Sequence, residues 1–198
     1  MPYNILFTTL CLQSFAFGTP VNNTENSNEK IKSSEDIIQI VYFSKSGNTE
    51  RIAKYIQEAT GGNLIKIDSE IPYPEDYTET TEIAKKEIEN KKTPKIILNK
   101  EYSENTKIIF IGSPCWWGTI ASPVRTFLMT HNFNGKTIIP FITHGGSEMG
   151  KTVEEIKAIC PKATVKNGKA FGDPKWVSFT KDQKEEVKDW IKTINLSK

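Results

Sequence analysis

Three short stretches of this chain hold the side chains best able to do chemistry. Ser44, Lys45, Ser46, Gly47, Asn48 and Thr49 bring three hydroxyls, an amide and a cation into six consecutive positions, with a glycine where the backbone can turn tightly. Ahead of a helix, such a turn offers successive N–H groups and the positive end of the helix dipole to an anion, which is the chemistry of a phosphate cradle. Its spacing is neither G-x-x-x-x-G-K-[ST] nor G-x-G-x-x-G, so a nucleoside-triphosphate loop and a dinucleotide loop are both excluded. A plain capped turn is the competing reading, because Ser, Asn and Gly are favoured at any helix start.

The second stretch is Gly112, Ser113, Pro114, Cys115, Trp116, Trp117, Gly118 and Thr119. Two adjacent indoles between a proline and a glycine are costly to leave in water, and their faces suit stacking on a planar heteroaromatic ring. Closing a core is the plainer role for either indole, though neighbours in the chain do not both point the same way. Cys115 has no base beside it and reads as a small packing residue. The third stretch holds Thr143, His144, Gly145, Gly146, Ser147, Glu148, Met149 and Gly150. Its glycines permit close backbone approach to a ligand. His144 can act as a proton donor or ring contact, or simply hydrogen-bond its own loop. No His/Cys/Asp spacing reads as a metal site, and no Ser/His/acid set is visible.

The elements around these stretches explain where they lie. Residues 37–43 (IIQIVYF) form a continuous β-branched and aromatic run, the pattern of a strand covered on both faces. Beyond the first stretch, Ile52, Ala53, Ile56 and Ala59 share a helical face, and Gly61 and Gly62 stop the helix. The alternation continues with a short strand at 64–67, a charged helix at 78–90 and a central strand at 107–112. Next come a helix opened by Ser122 and Pro123, a strand at 137–143, a helix halted at Pro161 and a last strand within 163–171. A capping box of Thr180 and Gln183 opens the final helix, which carries Val187, Trp190, Ile191 and Ile194. Repeated strand-helix units build a parallel sheet with helices on both faces, and its ligand belongs at the carboxyl ends of the strands.

Composition fits this picture. The chain has 198 residues, 37% of them apolar and 25% charged, with a net charge of +2, which suits a soluble globular domain and leaves nucleic-acid binding without support. Residues 1–18 carry no charged side chain and resemble a signal peptide with Ala16 and Gly18 before the cleavage point, which implies export. They are too few for a stable membrane span. Residues 19–36 are rich in Asn, Ser, Thr, Glu and Lys and read as a disordered linker, so the domain occupies 37–198.

Taken in order, SKSGNT after the first strand, GSPCWWGTIASPVRTFL after the third core strand and FITHGGSEMG after the fourth resemble the flavodoxin family, in its short-chain branch. This resemblance implies a three-layer α/β fold whose five-stranded parallel sheet runs in the order 2-1-3-4-5, and one non-covalent FMN. It implies that Ser44, Lys45, Ser46, Gly47, Asn48 and Thr49 hold the FMN phosphate. Pro114, Trp116 or Trp117, and Gly118 would border the isoalloxazine, and Thr143, His144, Gly145 and Gly146 would close its other side. A peptide able to turn its carbonyl toward the flavin N5 needs a residue tolerant of positive φ, and Gly118 is the candidate. Electron transfer between redox partner proteins is the implied function; an NAD(P)H-dependent quinone or flavin reductase and a flavin-free binding domain are the alternatives on the same scaffold. Two features depart from the familiar members: the charge is slightly basic rather than strongly acidic, and Thr119 stands where an acidic residue is common. The segment from Tyr73 to the lysine-rich stretch ending at Lys95 lengthens the approach to the third core strand; shaping the flavin rim and covering the sheet edge are its two readings, and the second is expected.

Overall fold

The apolar run near residue 40 becomes the middle of a twisted sheet because it can be dry on both sides. In the computed structural model, which describes residues 38–173, 182–194 and 196, side chains alternate along this strand into two separate hydrophobic clusters. The chain divides into units Met1–Ile31 and Lys32–Lys198, and every described residue lies in the second. The expected export signal at 1–18 and linker at 19–36 lie outside the described residues.

The elements follow in the order β1 (Ile38–Phe43), α1 (Asn48–Thr60), β2 (Asn63–Ser69), α2 (Tyr77–Glu89) and β3 (Ile96–Leu98). After them come β4 (Ile108–Trp116), β5 (Thr119–Ile120), α3 (Ser122–Thr130), β6 (Thr137–His144), α4 (Thr152–Ile159), β7 (Thr164–Val165), β8 (Lys169–Gly172) and α5 (Gln183–Thr193). Strands β2, β1, β4, β6 and then β7 and β8 lie side by side in parallel, which is the expected 2-1-3-4-5 order. Val41, Phe43, Ile109, Ile111, Ile138 and Ile142 face a cluster closed by Val124 and Phe127 of α3 and Ile156 of α4. Ile40, Tyr42, Phe110, Ile139 and Phe141 face the opposite cluster, closed by Ile52 and Ile56 of α1 and Val187 and Ile191 of α5. Each fully buried Ile or Phe contributes about 1.5–3 kcal/mol through removal of its surface from water, so a strand serving both clusters anchors the fold twice.

Four expectations need correction. The last strand is broken into β7 and β8, with Gly168 between them at φ +72° against the Pro140 carbonyl. Ala59 is exposed, and the buried face of α1 consists of Thr49, Ile52, Ala53 and Ile56. The cap of α5 is Asp182, whose carboxylate accepts from Lys184 N–H at 3.3 Å; Thr180 lies outside the described residues. Finally, the outer sheet edge is covered by β3, which runs antiparallel to β2, and not by the tyrosine-rich segment before α2.

Candidate functional site

Strand β1 lies between β2 and β4, so the chain leaves it toward one side and returns on the other; a crevice opens at the carboxyl ends of β1 and β4. The loop after β1, the turn after β4 and the loop after β6 all arrive there.

At the end of β1 the backbone turns at Gly47, φ +84°, and α1 begins with Asn48. Among the described residues no side chain caps this helix; its first intrahelical bond runs from Arg51 N–H to the Gly47 carbonyl at 2.9 Å. The N–H groups of Asn48, Thr49 and Glu50 are therefore left outside the helix ladder. Beside them, Ser44 Oγ is buried and finds no hydrogen-bond partner among the described residues. A turn that served only to cap its helix would not leave both donor sets unused. Ser46 Oγ accepts from Asn48 Nδ2 at 3.2 Å, while the same amide donates to Asp173 Oδ2 at 2.6 Å, so Asn48 ties the loop to the end of β8. Lys45 Nζ sits 3.3 Å from Glu75 Oε2.

The second stretch is mostly strand rather than loop. Strand β4 continues through Trp116, turns at Trp117 and Gly118, and returns as β5, with Trp116 paired to Thr119. Both turn residues have positive φ, +51° and +80°, the requirement of a type I′ hairpin turn. Alternation then separates the two indoles. Trp116 packs edge-on against Tyr73 and Phe43, with centroids 5.0 and 5.5 Å away. Trp117 stays 58% exposed and leans on α2, donating from Nε1 to the Thr81 carbonyl at 2.9 Å, with Lys85 Nζ 5.1 Å from its ring centre. Gly118 has the positive φ expected of it, but its carbonyl already accepts from Lys151 N–H at 2.7 Å.

These parts enclose a cavity of about 390 Å³, within the range usual for small-molecule sites. Lys45, Ser46 and Thr49 line it at one end; Pro114, Cys115, Trp116, Trp117 and Gly118 form one wall. The facing wall is α2, through Tyr77, Thr80, Thr81 and Ala84. In the sequence the run Tyr73-Pro74-Glu75-Asp76-Tyr77 and the stretch after it offer this wall as the less favoured of two readings, the flavin rim. Tyr73 in fact wedges into the core, and Tyr77 stands at the cavity mouth, 77% exposed.

From the third stretch only Ser147 lines the cavity among the described residues. Thr143 is buried behind it, its hydroxyl 2.8 Å from Thr49 Oγ1. His144 Nδ1 accepts from Gly146 N–H at 3.0 Å, and burial pushes the imidazole below its ordinary pKa, opposed by the nearby Glu148 carboxylate. Gly145 and Gly146 are exposed and lie outside the lining. The Cys115 thiol is pushed up by burial, against hydrogen bonding from Ser147 and the Gly118 backbone, so it is no ready nucleophile.

The donor set and the slot fit a phosphate joined to a flat aromatic system: Lys45, Ser46 and Thr49 at one end, with the unused N–H groups and the Ser44 hydroxyl in the same loop, and aromatic walls at the other. Among the described residues no group of three or more His, Cys, Asp or Glu side chains is placed to hold a metal ion, and no helix is long and apolar enough to cross a membrane.

Comparison with known proteins agrees with this geometry. The family model described as flavodoxin matches residues 37–194. A solved structure of a candidate flavoprotein from Bacteroides eggerthii is 28% identical, with a TM-score of 0.69 over 81% of this chain and 99% of that one. A second, from Bacteroides uniformis, is 28% identical with a TM-score of 0.68 over 79% and 98%. A flavoprotein from Lactobacillus acidophilus, solved in complex with FMN, is 29% identical with a TM-score of 0.58 over 71% and 97%. No curated protein matches the chain in sequence.

Proposed function

This chain belongs to the flavodoxin family, and from that premise we propose that it binds FMN non-covalently and carries electrons between partner proteins. The observation that carries the reading is the pairing of an unpartnered, buried Ser44 hydroxyl with an uncapped α1 start, in the loop whose Lys45, Ser46 and Thr49 line a cavity walled by aromatic side chains. When bound, the flavin supplies the redox chemistry. The protein's own groups do the rest. The N–H groups of Asn48, Thr49 and Glu50 and the hydroxyls of Ser44 and Ser46 bind the phosphate, while Lys45 offsets its charge. Trp116 and Trp117 exclude water from the ring on the hairpin side, and Tyr77 and Thr81 do so from α2. The lining suits a carrier better than a direct NAD(P)H oxidase, because among its described residues Lys45 is the one cation and no arginine is present to take an adenosine phosphate.

The test is a titration of FMN with the purified full chain. Flavin fluorescence is expected to fall to a stoichiometric end point, and the loaded protein is expected to accept electrons from a partner reductase without oxidising NAD(P)H steadily in the presence of a quinone. Unchanged FMN fluorescence refutes the reading; steady NAD(P)H oxidation replaces the carrier with the reductase.

A further inference from the structure

Trp117 is a bulky residue held at φ +51°, a conformation that costs about 1–3 kcal/mol for a non-glycine and persists only where the surroundings over-determine it. Its indole is held by α2 through the Thr81 carbonyl, and the backbone of the turn is held from behind. Thr119, the first residue after it, is 7% exposed and does not line the cavity; its hydroxyl points away and donates to Glu155 Oε2 on α4. Glu155 Oε1 is in turn paired with Arg125 Nη2 on α3, and the two side chains are only 15% and 12% exposed. One turn earlier on the same side, Lys151 N–H holds the Gly118 carbonyl at 2.7 Å. Gly150 packs so tightly beneath it that an added Cβ would stand 2.2 Å from that carbonyl oxygen.

We propose that Arg125, Glu155 and Thr119 form a positioning chain that locks the Trp117–Gly118 turn to α3 and α4, and so sets how firmly the site grips the flavin ring. This rests on the reading of the cavity as an FMN site. The physical case is that a two-residue turn alone cannot keep an indole in the left-handed region, whereas a charge-assisted bond to a carboxylate already oriented by an arginine is about twice as strong as a neutral one. Burial pushes the Glu155 carboxyl above its ordinary pKa, and Arg125, with Lys91, opposes that shift in part, so the arginine is what keeps a charged acceptor available to Thr119. A hydroxyl is what the position needs. Thr119 keeps the β-branched shape that suits β5 and adds a donor that reaches Glu155 Oε2, the oxygen not paired with Arg125.

The experiment measures dissociation constants of FMN and of riboflavin, by flavin fluorescence, for the full chain and for Thr119→Val, Thr119→Ser, Glu155→Gln and the Thr119→Val/Glu155→Gln pair. Thermal unfolding of each variant fixes a temperature at which all are folded. Thr119→Val is expected to bind FMN and riboflavin about tenfold more weakly, and by the same factor, because the turn touches the ring end and not the phosphate. Thr119→Ser should restore binding, and the paired substitution should cost less than the sum of the single ones, as coupled neighbours do. A merely structural role would lower the unfolding temperature and leave both constants unchanged, and that result overturns the proposal. So does a loss confined to FMN, or additivity in the pair. If the unsubstituted chain binds neither flavin, the FMN reading falls with it; if it binds and Thr119→Val binds as tightly, this inference alone falls.

Discussion

Replacing Gly118 and Gly150 one at a time by alanine separates two costs that usually come together. Both glycines have positive φ, +80° and +49°, so alanine at either position meets the backbone penalty of the left-handed region, about 1 kcal/mol. At Gly118 that is the whole cost, because a Cβ there meets nothing within 4 Å. At Gly150 the new Cβ would lie 2.2 Å from the Gly118 oxygen and 2.7 Å from its carbon, so two backbone segments must part. Separation breaks the 2.7 Å bond from Lys151 N–H to Gly118, worth about 1 kcal/mol, and adds overpacking of about 1 kcal/mol or more. The expected losses are thus about 1 kcal/mol for Gly118→Ala and about 3 kcal/mol for Gly150→Ala. For a chain of this length, thermal unfolding followed by far-ultraviolet circular dichroism should show Tm falling by about 3 °C and about 9 °C respectively. Equal shifts for the two variants would refute the claim that the α4 start is clamped against the hairpin turn.

Two further outcomes follow from single side chains. Ser44→Ala removes a buried hydroxyl that lacks a partner, so the flavin-free protein should unfold no sooner than the parent, and up to about 1 kcal/mol later. FMN should bind about tenfold more weakly and riboflavin as before, and a Ser44→Ala chain with unchanged FMN affinity would remove the hydroxyl from the phosphate site. For His144, the bond from Gly146 N–H needs an unprotonated Nδ1 and burial lowers the pKa. With the folded value depressed, its contribution to stability is present above the ordinary value of 6.5 and is lost as pH falls through the lower folded value. The His144 ring protons, assigned in NMR spectra by a His144→Gln variant, should titrate below 6.5, and a midpoint at or above it contradicts the loop geometry.

Much of the architecture is local in origin and was therefore legible in the chain. A run such as 37–43 suits a strand covered on both faces, Gly61 at φ +72° ends α1 by its own conformational freedom, and Pro123 opens α3 where no N–H is needed. Three glycine-bearing stretches at strand ends marked the site for the same reason: short-range backbone chemistry does not wait for the rest of the fold. Other features had no local signature. Strand β3 is three residues long, too short to show a period, and is held because Asn99 bonds Lys66 in both directions, through its side chain at 2.7 Å and its backbone at 3.2 Å. Thr119 stood out in the sequence only as a departure where an acidic residue is common, and it is the arrival of α4 that gives its hydroxyl a partner in Glu155.

What the sequence by itself determined is the order of the core strands and their helices, the positions of the three chemistry-bearing stretches and the chemical type of ligand they suit. Tertiary structure decided which indole faces the core, that Ser147 rather than His144 reaches the cavity, and that α2 supplies its second wall. Those outcomes depend on contacts between residues more than 30 positions apart, such as Trp117 Nε1 on the Thr81 carbonyl and Trp116 on Tyr73 and Phe43. Periodicity and propensity describe neighbours a few residues away. Pairings across such distances are selected by how whole elements pack, and that exists only once the sheet has brought them together.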